Sequence, residues 1–401
     1  MARHRAPGRW LCQFGPPWTP AAACGRAGDL CMAQHFLHSK ESRNFAKALN
    51  RVTEDESESY LALCRWGPGS KQVCPGCGVL RKHYRRKKRR RWRCAEIACR
   101  HEFSVTSGTP FHGHKLTFKE ILLLIFAFTT NANGASLLQV SRRLGLTPKS
   151  VQANFGKIRE VLIHGLDLTP MTGTVHVDGG HFCGKPRKPN RKIPVPKDAI
   201  AKRYGKKKPA NTTKPWIEMG MTKPNYLRLA QKRVVIVFTE AGKLGEGSRR
   251  SIPIVCRREC DEHVFPLMKA FVRQDAIVMT DESGAYNGFT ALGIEHHQVK
   301  HSEMFSTSEG VNDNMCETFF SRMRRAEYGT YHGYRPKYLQ DYAIEHSWRD
   351  DNRRVAQEEL VRKLTGQMFG SGKSTWWRGY WQGNNRSEEL TAEWFLAKAV
   401  A

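Results

Sequence analysis

Four cysteines constrain this chain more tightly than any other residues. Cys74-Pro-Gly-Cys77 is followed after sixteen residues by Cys94-Ala-Glu-Ile-Ala-Cys99. Two pairs at that separation can set four thiolates tetrahedrally around one zinc ion. Pro-Gly in the first pair is the composition of a tight knuckle turn. The second pair has four intervening residues where two are usual, so its knuckle must have another shape. A zinc ribbon is therefore expected over residues 67–112. The other eight cysteines are scattered and read as small buried or surface thiols, with no role for Cys256 or Cys260. A secreted disulfide framework is a poor match to that spacing, and no apolar signal-peptide core opens the chain. A reducing cytoplasm is the expected compartment.

The partner follows from charge. Lys and Arg number 66 against 37 Asp and Glu, a formal charge of +29 on a chain whose 40% hydrophobic content suffices for real cores. Such an excess points to nucleic acid. A membrane is the weaker candidate, because the longest purely apolar run, Ile121 to Phe128, is far short of the roughly 20 residues of a membrane span. From Arg81 to Arg93, ten of thirteen residues are Lys or Arg, with Tyr84 and Trp92 interleaved. Arg85, Arg86, Lys87, Lys88, Arg89 and Arg90 are expected to lie along a DNA phosphate backbone without reading bases.

On either side of the ribbon the signals are helical. Residues 1–31, rich in Arg, Pro, Gly and Ala, are expected to be an unstructured extension, with Met32 as a second candidate start. Residues 32–66 hold a helical stretch from Ser39 to Trp66, with Thr53-Glu-Asp-Glu56 as its capping signal. Within 113–168, Thr117 to Asn131 reads as an apolar helix. Leu137, Leu138 and Leu144 then mark one buried helical face, Gly145 ends it, and Thr147-Pro148 opens another helix in the N-cap and first-turn positions. The pattern is that of a helix-turn-helix, with a helical hairpin that merely packs as the alternative. Lys149, Gln152, Asn154 and Lys157 on its second helix, Pro148 to Val161, are the candidates for contacts to base edges and phosphates.

Residues 169–354 read as mixed α/β. Val175 to Val177 is an apolar stub ending in Asp178-Gly-Gly180, and Arg233 to Phe238 with Ser251 to Val255 suggests a hairpin through the turn Ala241 to Ser248. A helix over Cys260 to Val272, a buried strand over Ala276 to Thr280 ending in Asp281, a strand Gln298 to His301 and a helix Asn312 to Arg325 carrying Glu317 complete the reading. Two strand ends and one helix can thus bring Asp178, Asp281 and Glu317 to one sheet edge. Three carboxylates together call for cations, and oxygen donors favour magnesium or manganese. Two such ions suit phosphodiester displacement.

The order of these features resembles the bacterial insertion-sequence transposases with a DDE catalytic core. The resemblance covers roughly Met32 to Arg354. It is carried by Arg91-Trp-Arg-Cys94, by Phe103-Ser-Val-Thr-Ser-Gly-Thr-Pro-Phe111, by Val177-Asp-Gly-Gly180, and by Asn314 to His332, which closes with Gly329-Thr-Tyr-His332. It implies a ribonuclease H-like mixed sheet flanked by helices, preceded by the zinc ribbon and helix-turn-helix. It implies further that Asp178 and Asp281 are metal ligands, with Glu317 or Asn314 as the third active-site residue, and that Arg324, seven positions after Glu317, holds a DNA phosphate. Two magnesium or manganese ions and one structural zinc are the implied cofactors. Double-stranded DNA, both transposon ends and target, is the implied partner, bound by at least a dimer in a bacterial cytoplasm. Two other classes stay open, a DNA-binding regulator with an inactive core and a ribonuclease H-like nuclease without joining activity.

Two stretches fall outside that pattern. Residues 182–232 form a basic, proline-rich insertion, read either as an arm that tracks transposon-end DNA or as a solubilising loop. The tail, 355–401, contains Phe369-Gly-Ser-Gly-Lys-Ser-Thr375, which imitates a phosphate-binding loop but has Gln367 where that motif needs glycine. No ATP site is expected there. Trp376, Trp377, Tyr380 and Trp381 are expected to cover either core surface or a partner subunit. If the insertion is a DNA arm, deleting residues 186–214 weakens DNA binding and flattens its salt dependence in a filter-binding titration.

Overall fold

The computed structural model describes residues 40–183, 219–220, 222–243, 246–299 and 314–400. The expected extension and most of the basic insertion lie outside them, as do His301 and Asn312.

Where the sequence suggests one helical stretch there are two helices, α1 (Lys40–Arg51) and α2 (Glu54–Trp66). The break falls at Thr53 because this residue caps α2. Its hydroxyl accepts the Glu56 N–H at 3.3 Å, and the Glu56 carboxylate accepts the Thr53 N–H at 2.8 Å. The ribbon follows in short strands, β1 (Gln72–Val73) with β2 (Leu80–Arg81), then β3 (Tyr84–Arg86), β4 (Arg91–Arg93) and β5 (Glu102–Phe103). Helix α3 (Phe118–Thr130) starts at a second capping box, Thr117 with Glu120. Glu54 of α2 also accepts the Phe118 and Lys119 N–H groups at 2.8 and 2.9 Å, so one helix caps the next.

The helix-turn-helix is α4 (Leu137–Leu144) and α5 (Pro148–His164), joined through Gly145 at φ 68°. Leu138 departs from expectation, being 56% exposed. The inward stripe is Leu137, Val140, Ser141 and Leu144, and Leu138 sits about 100° away from it.

The central sheet comes next. Strand β6 (Thr174–Phe182) pairs antiparallel with β7 (Arg233–Ala241), preceded by α6 (Lys223–Gln231), and β7 pairs antiparallel with β8 (Ser248–Cys256). Helix α7 (Asp261–Phe271) crosses back to β9 (Ile277–Asp281), which lies parallel to β6 on its other side, and β10 (Glu295–Val299) runs parallel to β9. The order β10-β9-β6-β7-β8 is the ribonuclease H-like arrangement.

Helix α7 packs on one face, its Phe271 ring 6.0 Å from Phe238. The other face is covered by α8 (Asn314–Ala326) and α9 (Pro336–Asp351), whose Phe319, Phe320 and Leu339 meet Val235, Val237 and Val255. Helix α9 also closes the open edge of β8. The Gln340 side chain accepts the Val255 N–H and donates to the Pro253 carbonyl, both at 2.7 Å, and Ser347 donates to the Ser251 carbonyl at 2.6 Å. An edge so occupied cannot recruit a foreign strand.

The C-terminal helices pack against the core. Helix α10 (Gln357–Gly370) packs among α2, α3 and α5, and α11 (Ala392–Val400) packs on α7 and β8. One buried apolar cluster runs from Leu49 to Phe395 through ribbon, helix-turn-helix, sheet and tail. The stretch that imitates a phosphate loop follows a helix, α10, with no strand before it. Its Thr375 and Trp376 N–H groups donate to the Glu160 carboxylate of α5 at 2.7 and 3.2 Å. Trp377 is buried against Gly156 of α5, where an added Cβ would lie 2.1 Å from the ring. Among the described residues, no helix is long and apolar enough to cross a membrane.

A buried ion cluster joins α5 to α9. Glu345 accepts from Arg159 at 2.6 Å, from Arg349 at 2.6 Å and from the Tyr331 hydroxyl at 2.9 Å. Burial alone raises the Glu345 carboxyl, but Arg159 and Arg349 override it and bring it down to about 2. Stability from this carboxylate is thus fully present above its unfolded value near 4.5 and is lost as pH falls from there through about 2. Glu345→Gln is expected to shallow the acid limb of stability against pH. Arg159→Met is expected to cost about 3 kcal/mol, since breaking a buried pair strands a charge. Chemical denaturation across pH checks both.

Candidate active site and zinc centre

The four ribbon thiols converge. Cys74 Sγ lies 3.8 Å from Cys99 Sγ, and Cys77 Sγ lies 3.7 Å from Cys94 Sγ. A tetrahedron with zinc–sulfur bonds near 2.3 Å has sulfur–sulfur edges of about 3.8 Å, so the donor set fits zinc in size as well as chemistry. Gly76 and Glu96 N–H groups point at Cys74 and Cys94 sulfur, each at 3.4 Å, as suits thiolates. The longer second spacer is taken up by a turn in which the Cys99 and Arg100 N–H groups donate to the Glu96 carbonyl and Arg100 adopts φ 46°.

The second cluster is carboxylate. Parallel pairing sets Val177 opposite Thr280, so the next residues, Asp178 and Asp281, are side by side on one face where β9 stops. Glu259, in the connection from β8 to α7, completes a group whose oxygens all lie within 4.8 Å of one another. Asp178 accepts the Gly179 N–H at 2.6 Å, Asp281 the Ser283 N–H at 3.0 Å, and Glu259 the buried Tyr286 hydroxyl at 3.0 Å. Burial raises the Glu259 carboxyl, and the charge of Asp281 raises it further against the Tyr286 hydrogen bond. At that spacing each pair of carboxylates repels by roughly 3 kcal/mol at an effective dielectric of about 20. Repulsion on that scale is relieved by cations, and an all-oxygen set fits magnesium or manganese.

The glycines after Asp178 explain a difference from the sequence reading. Strand β6 does not end at Asp178. It continues to Phe182 against β7, with Gly179 opposite Ile236 and Gly180 opposite Val235. A Cβ at Gly179 would stand 2.6 Å from the Glu259 carboxyl carbon, and one at Gly180 would stand 2.5 Å from the Phe320 ring. The glycines give room rather than a turn.

Comparison with known families places this acid cluster inside a transposase domain. The ISXO2-like transposase domain matches residues 170–351, and the transposase zinc-ribbon domain matches residues 52–102. Both matched domains are those of transposases, so the chain resembles the insertion-sequence transposases over these two regions. No curated protein and no solved structure matches it. The matched zinc ribbon contains the Cys74, Cys77, Cys94 and Cys99 cluster, and the matched transposase domain contains the three grouped acids.

The remaining candidate residues are dispersed around these centres. Glu317 is exposed on the first turn of α8 and stands outside the group of three. Its neighbour Cys316 lies 3.9 Å from the carbonyl of Val237, the residue paired with Asp178. Asn314 opens the same helix. Arg324 stands exposed with its guanidinium 5.7 Å over the Phe320 ring. In the ribbon, Arg85 pairs with Glu58 at 2.7 Å and lies 4.1 Å over Trp92, Arg90 pairs with Asp55 and Glu58, and Arg86 and Arg89 pair with Glu102. Among the described residues Lys87 and Lys88 carry no ion pair. On α5, Lys149 is exposed and Gln152 half-buried, while Asn154 is buried and donates to the Ser150 carbonyl at 2.9 Å. Lys157 lies 5.9 Å over the Phe111 ring, and burial lowers its pKa. The exposed residues of α5 lie at its two ends, because its middle turns pack into the core. Arg142 and Arg143, which the sequence reading passed over, are exposed on α4.

Glu259 was also missed, and no local signal marks it. Arg257-Arg-Glu-Cys260 looks like a surface connection; only the fold brings its acid to Asp178. For the ribbon, Cys94→Ser is expected to lower bound zinc well below one ion per chain by elemental analysis and to increase proteolysis between residues 67 and 112.

Proposed function

We propose that this chain is the transposase of an insertion sequence, binding the ends of its element and cutting and joining DNA at the carboxylate site. The observation that carries the reading is the in-register pair Asp178 and Asp281, joined by Glu259, within a DDE transposase domain. Asp178, Asp281 and Glu259 would hold two magnesium or manganese ions, with Glu317, or Asn314 in its place, completing the set from α8. Divalent ions bound there supply Lewis acidity and charge neutralisation for in-line phosphodiester displacement.

The chain's own groups do the rest. Tyr286 orients Glu259, and the Gly179 and Ser283 N–H groups orient the two aspartates. Arg324 holds a phosphate of the strand being cut. Lys87 and Lys88 of the ribbon, together with Arg142, Arg143 and Lys149 of the helix-turn-helix, bind the flanking duplex, mostly through its backbone. Joining two ends requires at least a dimer on DNA. Water serves as nucleophile for nicking and the freed 3′-hydroxyl for strand transfer, with no covalent enzyme intermediate.

The deciding experiment is magnesium-dependent cleavage and joining of a labelled duplex carrying the element's own ends. Wild type should give joined product, which Asp281→Ala abolishes. Gly179→Ala, which pushes the Glu259 carboxylate aside, should lower the rate by about 100-fold, in line with misplacing a catalytic group by an ångström. Cleavage without joining would assign a nuclease instead, and tight binding with no chemistry in any variant would assign a DNA-binding regulator.

A further inference from the structure

We propose that Tyr328 is a stacking platform for an unpaired base of the DNA strand next to the phosphate held at the carboxylates; this rests on the transposase reading. Tyr328 is 67% exposed. It stands one turn beyond Arg324 and eleven residues beyond Glu317, so Arg324 and Tyr328 both lie within about 20° of the line through Glu317 along the helix. Helical side chains lean toward the N-terminus, which brings the phenol ring back over Arg324.

That line leads to the acids. The Arg324 guanidinium covers Phe320, and Phe320 fills the space over Gly180, two residues from Asp178. His181, three residues after Asp178 on β6, has its Nε2 3.8 Å from Glu259. A strand lying on Arg324 with a phosphate at the acids therefore passes beneath Tyr328.

The backbone is built to hold the ring there. Glu327–Tyr331 is a single π-helical turn ending at His332, which adopts φ 55°; such turns are frequent at functional sites. The turn separates two tyrosines. Tyr331 faces inward, its hydroxyl donating to Glu345 at 2.9 Å and resting where a Cβ on Gly134 would be 1.8 Å away. Through Glu345 it is tied to Arg159 of α5. Tyr328, three residues earlier, is exposed, as are Arg324 and Arg325 on the preceding turn. An exposed aromatic ring flanked by arginines is the arrangement that stacks a base while the cations hold its phosphates.

The test uses a labelled duplex with a short unpaired stretch at one end, 2-aminopurine at the first unpaired position, and the same duplex fully paired. Binding is measured in calcium. Wild type should prefer the frayed duplex by about tenfold and quench the 2-aminopurine. Tyr328→Ala should lose both the preference and the quench while binding the paired duplex as wild type does, and Tyr328→Phe should retain them. A Tyr328→Ala protein with the preference intact overturns the proposal, and if its sedimentation also changes, the ring belongs to a protein–protein contact instead. Magnesium-dependent cleavage by wild type reports separately on the transposase reading: cleavage that persists while the preference survives Tyr328→Ala removes the stacking role alone.

Discussion

The register between β6 and β9 is the constraint on which the site depends. Val177 faces Thr280, and this alone makes Asp178 and Asp281 neighbours. A slip of one residue would send one aspartate through the sheet to the opposite face. The apolar residues on either side hold the register. Val175, Val177 and Val278 are fully buried, and shifting them would expose one set while burying a carboxylate. Hydrophobic burial thus enforces an arrangement that electrostatics opposes. The N–H groups of Gly179 and Ser283 and the Tyr286 hydroxyl offset part of the repulsion, and hard cations would relieve the remainder.

Around the sheet, the chain folds as one body whose parts lock each other. Helix α5 shares its buried face with α9 through Arg159 and Glu345 and with the tail through Glu160 and Trp377. This explains why Asn154 and Lys157 turn inward while Lys149 stays outside. It also ties α5 to α9, which packs across the sheet next to the carboxylate cluster. Tyr331 is the joint, since it touches Glu345 from the turn that ends α8.

Several elements were legible because their signals are local. Thr117 and Asn131 bound α3 as expected, since a capping box and an apolar run sit in adjacent positions. Thr147-Pro148 opens α5 for the same reason. The four cysteines converge because knuckle spacing is itself a short-range geometric statement. Where the reading failed, a residue served a distant partner. Gly179 and Gly180 imitate a turn but make room for Glu259 and Phe320, and Leu138 looked buried until Val140 and Ser141 claimed the inward stripe.

The sequence by itself marked the four cysteines that converge, the starts of α3 and α5 and the two neighbouring aspartates, because caps, spacing and alternation act within a few residues. Only the tertiary structure decided that Glu259 joins those aspartates, that the arginines of the ribbon are partly spent on Glu58 and Glu102, and that the C-terminal helices pack against the core. Each of these depends on which surfaces meet across more than a hundred residues or between separate elements. Chain-long packing sets that, and no local pattern encodes it.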